Sequence, residues 1–520
     1  MTKRKRDPAP MPDAASKHPR KIIKSTTNTE NSSTEQATAS TSPVTVQIVT
    51  GSYERVLHGI TATITSSSKA PDADTSDSPV QFADTFLFHA HSSAVRCLAL
   101  SPLPNGDPSQ PQKVILASGG TDERINLYNL SASPPIVNDK FPSVPTLAGS
   151  KILENPKNRE LGSLLHHSSS ISALYFPTRS KLLAAAEDNT ISVTRTRDWS
   201  VVSTIKAPNP KTLGRPSGDT APPGAAPAGV NDFAVHPSMK LMLSVGKGEK
   251  TMRLWNLVTG KKAGVLSFGR EILQSVKESR FNSGEGRRIL WNPEGEEFVV
   301  GFERGAVVFG TDSIPKCKIL PSPLTKLHSM KYIKTGASEE GEELLAVSTE
   351  DGRIVFYSTK EISQAAAKGD KESENSIPDA AVKGQLGGKT CNLSGRIKEF
   401  EILDVSSSSS ELKHDKLVVT CGSDGSIRIW ALDSKELAGE ESSQKKSKSS
   451  KKAKESTPAP AVPQVGKLLG TYETGNRITC MKAFVMLQPE EERMSDLDDE
   501  FGSEDDEDEE DESSDSDDED

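Results

Sequence analysis

Acidic side chains that recur at one spacing are the first candidates for chemistry in this chain. The clearest copies are LASGGTDERINLYNL, with Asp122 and Tyr128, and VVTCGSDGSIRIWAL, with Asp424 and Trp430. Carboxylates act together as general bases or metal ligands only where they converge on one substrate or ion. One acid per repeat keeps them apart, so we predict that each accepts hydrogen bonds within its own turn. The spacing occurs in six copies, and in five of them the residue six positions after the acid is aromatic; the exception is Thr194. The pairs are Asp122–Tyr128, Asp188–Thr194, Glu249–Trp255, Glu303–Phe309, Asp351–Tyr357 and Asp424–Trp430.

Histidine pairs and a glycine-rich segment raise the possibility of a metal or phosphate site. The segment GQLGGKT at 384–390 has three residues between Gly384 and Gly388, whereas a phosphate-binding loop needs four, and no apolar strand precedes it. Two pairs lack an acid or thiol at the spacing of a zinc site: His89 with His91, and His166 with His167. We therefore predict no catalytic residue, no metal and no cofactor, and a protein that is not an enzyme.

Cysteine spacing and hydropathy limit the protein class. Widely separated cysteines without a C-x-x-C pair predict reduced thiols in an intracellular protein. The five are Cys97, Cys317, Cys391, Cys421 and Cys480. No apolar run reaches the roughly 18 residues of a membrane span, and the N-terminus lacks the apolar region of a secretory signal. We expect no membrane association.

Charge is concentrated at the two ends of the chain. Residues 1–24 hold eight Lys or Arg against two acids, in a stretch without apolar periodicity. Two basic clusters separated by thirteen residues predict a bipartite nuclear import signal that binds an import receptor, and direct contact with an RNA backbone is compatible with it. The residues of this signal are Lys3, Arg4, Lys5, Arg6, Arg20, Lys21 and Lys24.

The C-terminal end is strongly acidic, with eighteen acids and no base in 496–520. Repulsion between like charges predicts that residues 489–520 are disordered. This acidic tail either shields basic partner proteins or maintains solubility. Four serines have an acid three residues on, which favours phosphorylation by an acid-directed kinase: Ser495, Ser503, Ser514 and Ser516. A lysine-rich run at 445–454 is either an RNA-contacting patch or a solvated linker.

The repeated phrases must be positioned by short strands. A four-stranded repeat needs roughly 40–45 residues, and the turn acids are 48 to 73 residues apart. The excess lies in low-complexity stretches that we predict to be surface loops: near 65–79, 131–160, 206–228, 362–390 and 434–464. We predict a disordered tail over 1–42, a folded domain over 43–488 and the acidic tail after it.

The two ends of the folded region complete the repeat count. Six units centre on the turn acids, and a seventh must combine strands in 44–64 and 80–88 with a last strand near 477–485. Joining them closes a ring and removes exposed strand edges. The prediction is an all-β, seven-bladed β-propeller, with six or eight blades as alternatives.

The region 44–486 resembles the WD40 repeat family. That resemblance implies a stabilising tetrad: a His before the innermost strand, a Ser or Thr in the second, the turn Asp and a Trp in the third. One set here is His91, Ser118 and Asp122, with Tyr128 in place of Trp. Another is Thr420, Asp424 and Trp430, without the His. Elsewhere the set is less complete, with Ala184 or Val245 at the expected hydroxyl position.

More narrowly, the chain resembles the p21-activated kinase-interacting protein family. The phrases that carry this are IVTGSYERVLHGI (48–60), FLFHAHSSAVRCLALS (86–101), LASGGTDERINLYNL (116–130), GSLLHHSSSISALYF (162–176) and GREILQSVKESRF (269–281). The resemblance implies a non-enzymatic scaffold in the nucleus and nucleolus, required for assembly of the large (60S) ribosomal subunit and maturation of its rRNA. Its implied partners are pre-60S proteins, assembly factors and rRNA, with the chain a monomer within a larger complex.

Two other functions remain open at this point. The same resemblance implies, as an alternative, a negative regulator that binds a p21-activated kinase directly. Some propellers instead serve as substrate receptors of cullin ubiquitin ligases and carry a W-D-x-R phrase. The corresponding phrases here, LYNLSA, LWNLVT and IWALDS, do not match it.

Overall fold

Apolar, β-branched runs bounded by Gly, Asp and Ser turns form a nearly all-strand domain in the computed structural model. The structure describes residues 43–65, 79–104, 112–135, 144–145, 151–209, 229–278, 283–336, 341–363, 377–391, 393, 395–405, 414–438 and 462–487. The import signal, the acidic tail and its four serines lie outside these residues, as do most of the insert residues.

Thirty strands are numbered in chain order. The first fifteen are β1 Val44–Ser52, β2 Val56–Ile64, β3 Val80–His89, β4 Val95–Leu100, β5 Lys113–Gly120, β6 Ile125–Ser131, β7 Val144–Pro145, β8 Lys151–Ile152, β9 Arg159–Leu164, β10 Ile171–Thr178, β11 Lys181–Ala186, β12 Thr190–Arg195, β13 Val201–Lys206, β14 Val230–Val235 and β15 Leu241–Gly246. The others are β16 Thr251–Asn256, β17 Lys261–Ser267, β18 Arg288–Trp291, β19 Glu297–Gly301, β20 Ala306–Gly310, β21 Pro315–Ile319, β22 Leu327–Lys334, β23 Glu343–Thr349, β24 Arg353–Ser363, β25 Asp379–Gly387, β26 Ile397–Asp404, β27 Lys416–Gly422, β28 Ser426–Leu432, β29 Lys467–Glu473 and β30 Ile478–Val485. Short helices are α1 Arg270–Ser275 and α2 Ser434–Ala438, with a 3₁₀ turn at Lys389–Cys391.

Strand pairing gives six sheets, of which one has eight strands and one has six. Single parallel pairs join β21 to β25 and β3 to β8, and division there leaves seven antiparallel four-stranded units, a number consistent with the predicted blade count. From the innermost strand outward, units 1 to 7 are β4-β5-β6-β9, β10-β11-β12-β13, β14-β15-β16-β17, β18-β19-β20-β21, β22-β23-β24-β25, β26-β27-β28-β29 and β30-β1-β2-β3. Middle strands such as β19 and β20 are buried along their whole length because sheets pack on both faces, which explains their continuous apolar sequence. Outer strands such as β17 are largely exposed.

The ring closes through strands from opposite ends of the chain. β30 pairs antiparallel with β1, from Val46 opposite Val485 to Gly51 opposite Cys480. The innermost strands contact one another in the order β4, β10, β14, β18, β22, β26, β30 and back to β4. The predicted closure of an all-β propeller is therefore present.

Seven hydrophobic clusters of the described residues fill the seven interfaces between neighbouring units. At the closure, for example, Ile48 of unit 7 packs with Val419 of unit 6. Each unit therefore buries both faces, and burial of apolar area between sheets stabilises the ring. Among the described residues, no helix combines the length and the apolar character that crossing a membrane requires.

The predicted insert near 362–390 is wrong in its last part. Asp379–Gly387 forms β25, the outer strand of unit 5, paired with β24 from Arg353 opposite Gly387. Its small residues suit an outer strand: a Cβ at Gly384 would lie 2.8 Å from Val465 Cγ1, so the glycine permits this close approach. The inserts near 131–160 and 434–464 also contain ordered elements, namely β7, β8 and the start of β9 in one, and α2 in the other.

Candidate functional site

The turn acid of unit 1 is held in a buried hydrogen-bond network. His91 Nδ1 lies 2.9 Å from Asp122 Oδ1, and His91 Nε2 lies 2.8 Å from Ser118 Oγ. Burial opposes ionisation of Asp122, but the His91 ring and the Ser92 N–H outweigh it and hold its pKa below the ordinary value. Tyr128 lies on the third strand, two residues beyond the partner of Ser118, and burial raises the pKa of its hydroxyl to about 12. The structure thus brings together all four residues expected from the resemblance.

Unit 2 forms a similar network with a hydroxyl from a different strand. His167 Nδ1 lies 3.3 Å from Asp188 Oδ2, and His167 Nε2 lies 2.8 Å from Ser192 Oγ. Ala184 occupies the expected hydroxyl position on β11, directly opposite Ser192 on β12. The third strand therefore supplies the hydroxyl that the second strand lacks.

Units 3 and 6 use tryptophan, as the spacing predicts. Trp255 Nε1 donates to Ser244 Oγ over 2.8 Å, and Trp430 Nε1 donates to Thr420 Oγ1 over 3.3 Å. The structure places Ser244, and not Val245, at the hydroxyl position of unit 3. The turn after β15 is one residue longer than in units 1 and 6, so counting back from the acid gives the wrong residue.

The remaining turn acids form ion pairs close to their own turns. Arg353 binds Asp351 with its Nη2 2.7 Å from Oδ2, and Lys326 Nζ lies 3.0 Å from Glu303. Glu249 pairs with Arg253. These acids do not converge, and the described residues contain no group of three His, Cys, Asp or Glu that could hold a metal ion. What the arrangement can do is fix the turns of a rigid ring.

Replacing His91 by alanine should lower stability, because it removes buried bonds to Asp122 and Ser118 together. We expect a loss of about 2 kcal/mol in the free energy of unfolding, the range for hydrogen bonds to charged groups. Urea denaturation measures it. His89, two residues earlier and exposed, is the matched control, and H89A should leave stability unchanged. Equal effects of the two substitutions would contradict the assignment.

A set of basic side chains, which the sequence analysis did not identify, lies where the innermost strands begin. Each of these strands starts beside the turn between the second and third strands of its own unit, so their first residues share one end of the ring. Six of the seven have a pairing irregularity near that end, and a bulge of this kind re-aims a side chain. We call this end the basic mouth, formed by Arg96, Lys247, Arg287, Arg288, Lys326, His328, Arg396, Lys398 and Arg477.

Carboxylates only partly neutralise the basic mouth. Glu187 pairs with Arg96 at 2.7 Å and with Lys247 at 3.5 Å. Lys326 and Arg287 share Glu303, and the nearest approach of Arg288 to Asp232 is 4.0 Å. No acidic partner for Lys398 is found among the described residues. Glu285 and Glu350 lie 4.0 Å from Arg287 and Arg396, respectively. Five carboxylates thus accompany eight Lys and Arg side chains, which leaves the mouth with an excess of positive charge.

Two groups at the basic mouth respond to that excess. Partial burial, followed by the positive charges of Arg396, Arg477 and Arg288, lowers the pKa of Lys398. Burial, followed by the positive charge of Lys398 and of the neighbouring arginines, lowers the pKa of His328 to about 4. This ring is therefore neutral at physiological pH. A bound carboxylate or phosphate would relieve the repulsion, which makes the mouth a candidate site for an anionic partner. In the sequence, the feature that could have indicated this site was a basic residue near the start of several innermost strands.

Comparison with known proteins agrees with this fold. The family described as "WD domain, G-beta repeat" matches residues 83–129, 158–194 and 398–431. "Protein MAK11" of Saccharomyces cerevisiae is 28% identical over 409 residues, which are 75% of this chain and 78% of that protein. A "p21-activated protein kinase-interacting protein 1-like" of Xenopus laevis is 25% identical over 388 residues, 75% of each chain. "Shk1 kinase-binding protein 15" of Schizosaccharomyces pombe is 24% identical over 314 residues, 60% of this chain and 69% of that protein.

The closed ring of four-stranded units with tetrad-like networks, together with the three matched segments, defines a β-propeller that carries WD40 repeats. Its homologues include MAK11 and p21-activated protein kinase-interacting proteins, so the predicted resemblance is confirmed.

Proposed function

We propose that this propeller is a non-catalytic scaffold in the nucleolus that docks on precursors of the large ribosomal subunit and supports their assembly and rRNA maturation. The observation that carries the proposal is the similarity to MAK11 along 75% of the chain, together with the phrases that resemble nucleolar assembly factors. The turn acids of the described residues are each held within their own unit, which fits a display role. The import signal of the N-terminal tail would bring the chain to the nucleus.

In this proposal the basic mouth is the contact for an anionic surface. Ribosomal precursors present phosphates and acidic assembly proteins, and within the described part of the chain the Lys398 ammonium has no carboxylate to displace. Arg288, half-exposed, would contact the same ligand, because its Nε already donates to the His328 carbonyl over 3.2 Å at this end. Binding of this kind weakens as salt rises.

Affinity purification of the full chain tests the proposal. At moderate salt we expect precursor particles to co-purify, and RNase treatment separates protein-held from RNA-held association. Depletion should lower free large subunits and cause large-subunit rRNA precursors to accumulate. Unchanged polysome and precursor profiles would overturn the proposal.

Reversing one charge at the basic mouth should weaken that association. We expect K398E to reduce co-purified particles about tenfold, the effect of losing a charge-assisted contact. Lys261 lies exposed on the outer strand β17, so K261E is the matched control and should bind as the unaltered chain does. An equal loss in both variants would indicate general electrostatics and exclude the mouth as the docking site.

A second candidate function is direct binding and inhibition of a p21-activated kinase. The names of the Xenopus and Schizosaccharomyces relatives, which describe kinase-interacting proteins, favour it. A pull-down with such a kinase and an activity assay tests this function. Bound kinase with reduced activity supports it, and absence of binding excludes it.

A further inference from the structure

A pocket of about 440 Å³ lies between units 4 and 5, at the end of the ring opposite the basic mouth. Its walls carry four glutamates and two lysines from the turn between β18 and β19, from the starts of β19, β21 and β23 and from the later part of β24. Glu294 and Glu296 are exposed at its rim, whereas Glu297 and Glu343 are 7% and 3% exposed. Carboxylates are rarely so buried without partners, so their contacts decide what the pocket can hold.

One of the two buried glutamates is well satisfied. Glu297 accepts hydrogen bonds from the Tyr332 hydroxyl over 3.1 Å and from Lys316 Nζ over 3.2 Å. Asn292 links it to the other unit: Asn292 Oδ1 accepts from the Glu297 N–H over 3.0 Å, and Asn292 Nδ2 donates to Glu343 Oε2 over 3.2 Å.

Glu343 is only partly satisfied. Its Oε1 is inaccessible to solvent and accepts no hydrogen bond from the described residues. The half-exposed Lys334 ammonium lies 3.5 Å from that oxygen and 3.9 Å from Glu294, so it is shared between two carboxylates. A buried carboxylate oxygen without a hydrogen bond is unfavourable. A cationic ligand that displaces the half-exposed Lys334 side chain would reach this acceptor.

The repeat itself shows that the fold does not require these acids. Strand pairing aligns Glu343 with Lys416 of unit 6, each two residues before the residue that faces the third-strand aromatic. By the same alignment, Glu297 corresponds to Lys181 of unit 2. Units 4 and 5, which form the pocket, therefore carry glutamate where another unit carries lysine, which favours a ligand over sheet stability as the reason for these acids.

We propose that this acidic pocket binds an arginine side chain of a basic polypeptide partner. The planar guanidinium has five N–H donors in a fixed fork, enough to reach Glu343 Oε1 and the rim carboxylates together. The exposed Glu294 and Glu296 extend the negative charge outward, where basic neighbours in the peptide would lie. A metal ion fits less well, since no suitable group of three ligands occurs among the described residues. Binding at this pocket does not depend on the proposed ribosomal role.

Fluorescence anisotropy with a labelled peptide of alternating arginine and glycine tests the pocket, using the full chain at physiological ionic strength. E343Q should weaken binding about 10- to 100-fold, the loss expected for a hydrogen bond to a charged group. The matched control is D198N, which removes the same charge from an exposed turn and should leave affinity unchanged. Equal affinities of E343Q and D198N would overturn the proposal.

Two further variants test the charge of the pocket and the identity of its occupant. E343K installs the residue that unit 6 carries at the aligned position and should abolish binding, while thermal melting of each variant verifies that it is folded. The chain's own N-terminal cluster has the same chemistry as the peptide, so a variant with Lys3, Arg4, Lys5 and Arg6 changed to alanine is measured as well. Unchanged peptide affinity supports an external partner. An increase of about tenfold or more would identify the tail as the occupant and overturn the proposal.

Discussion

A chain that ends at Asn476 is expected not to form the propeller, whereas a chain that ends at Gln488 should keep it. The shorter chain lacks β30, the innermost strand of unit 7. Ile478, Cys480, Met481 and Phe484 are each at most 2% exposed, and a fully buried large apolar side chain contributes about 1.5–3 kcal/mol. The summed loss is comparable with the roughly 5–15 kcal/mol that stabilises a whole domain.

The truncation also exposes one long edge at β1. Unpaired N–H and C=O groups over Val46–Ser52 would template aggregation. Thermal melting by circular dichroism and size-exclusion chromatography measure the outcome. A synthetic peptide of residues 477–488 should partly restore the folded, monomeric form by occupying the vacant edge. A shorter chain that melts like the longer one would contradict the role assigned to ring closure.

Much of this architecture was predictable because its signals are local. A turn acid and an aromatic six residues later fix the second and third strands of a unit, as in Asp122 with Tyr128 and Asp424 with Trp430. Strand-like sequence at both ends without local partners implied that they pair with each other, as β1 and β30 do. Periodicity, turn chemistry and edge pairing suffice for such conclusions.

Other features depend on register through space and were not accessible from spacing. Ser192 replaces the missing hydroxyl at Ala184 only because β11 and β12 place them opposite each other. β25 has few apolar residues, because an outer strand needs fewer, and so its sequence is typical of a linker. Bulges at the start of the innermost strands bring Arg96 and Lys398 to the same mouth from residues about three hundred apart. The positions of these two residues in the sequence do not indicate that they share one end of the folded ring.

A charge network on the innermost strands joins three consecutive units beside the closure. Lys331 of β22 lies 2.6 Å from Glu401 of β26, and Lys482 of β30 lies 2.8 Å from the other oxygen of the same carboxylate. Glu399 accepts from the Met481 N–H over 2.9 Å and pairs with Lys482 at 3.4 Å. Glu401 therefore bridges units 5 and 7 through unit 6.

Burial and pairing act in opposite directions on these groups. For Glu401, burial favours the neutral acid, but Lys331 and Lys482 outweigh it and lower the pKa below the ordinary 4.5. For Lys482, burial favours the neutral amine, and Glu401 and Glu399 outweigh it and raise the pKa. Burial dominates for Lys331 and lowers its pKa. The ionised carboxylate of Glu401 is thus stabilised by folding.

Replacing Glu401 by glutamine should destabilise the propeller by about 3 kcal/mol at neutral pH, because it leaves two largely buried ammonium groups without their shared carboxylate. Urea denaturation measures the free energy of unfolding. D198N is the control: Asp198 pairs with Arg195 in a turn where both side chains are about half exposed, so its loss should leave stability almost unchanged.

The pH dependence of this difference gives the stricter test. Because folding lowers the pKa of Glu401, its contribution is fully present above the unfolded value near 4.5 and is lost as pH falls through the folded value. The stability gap between the unaltered chain and E401Q should therefore be constant at neutral pH and shrink progressively below about pH 4.5. Denaturation curves across that range measure it. A gap that stays constant in acid would mean that E401Q acts through altered packing and that the bridging charge contributes nothing.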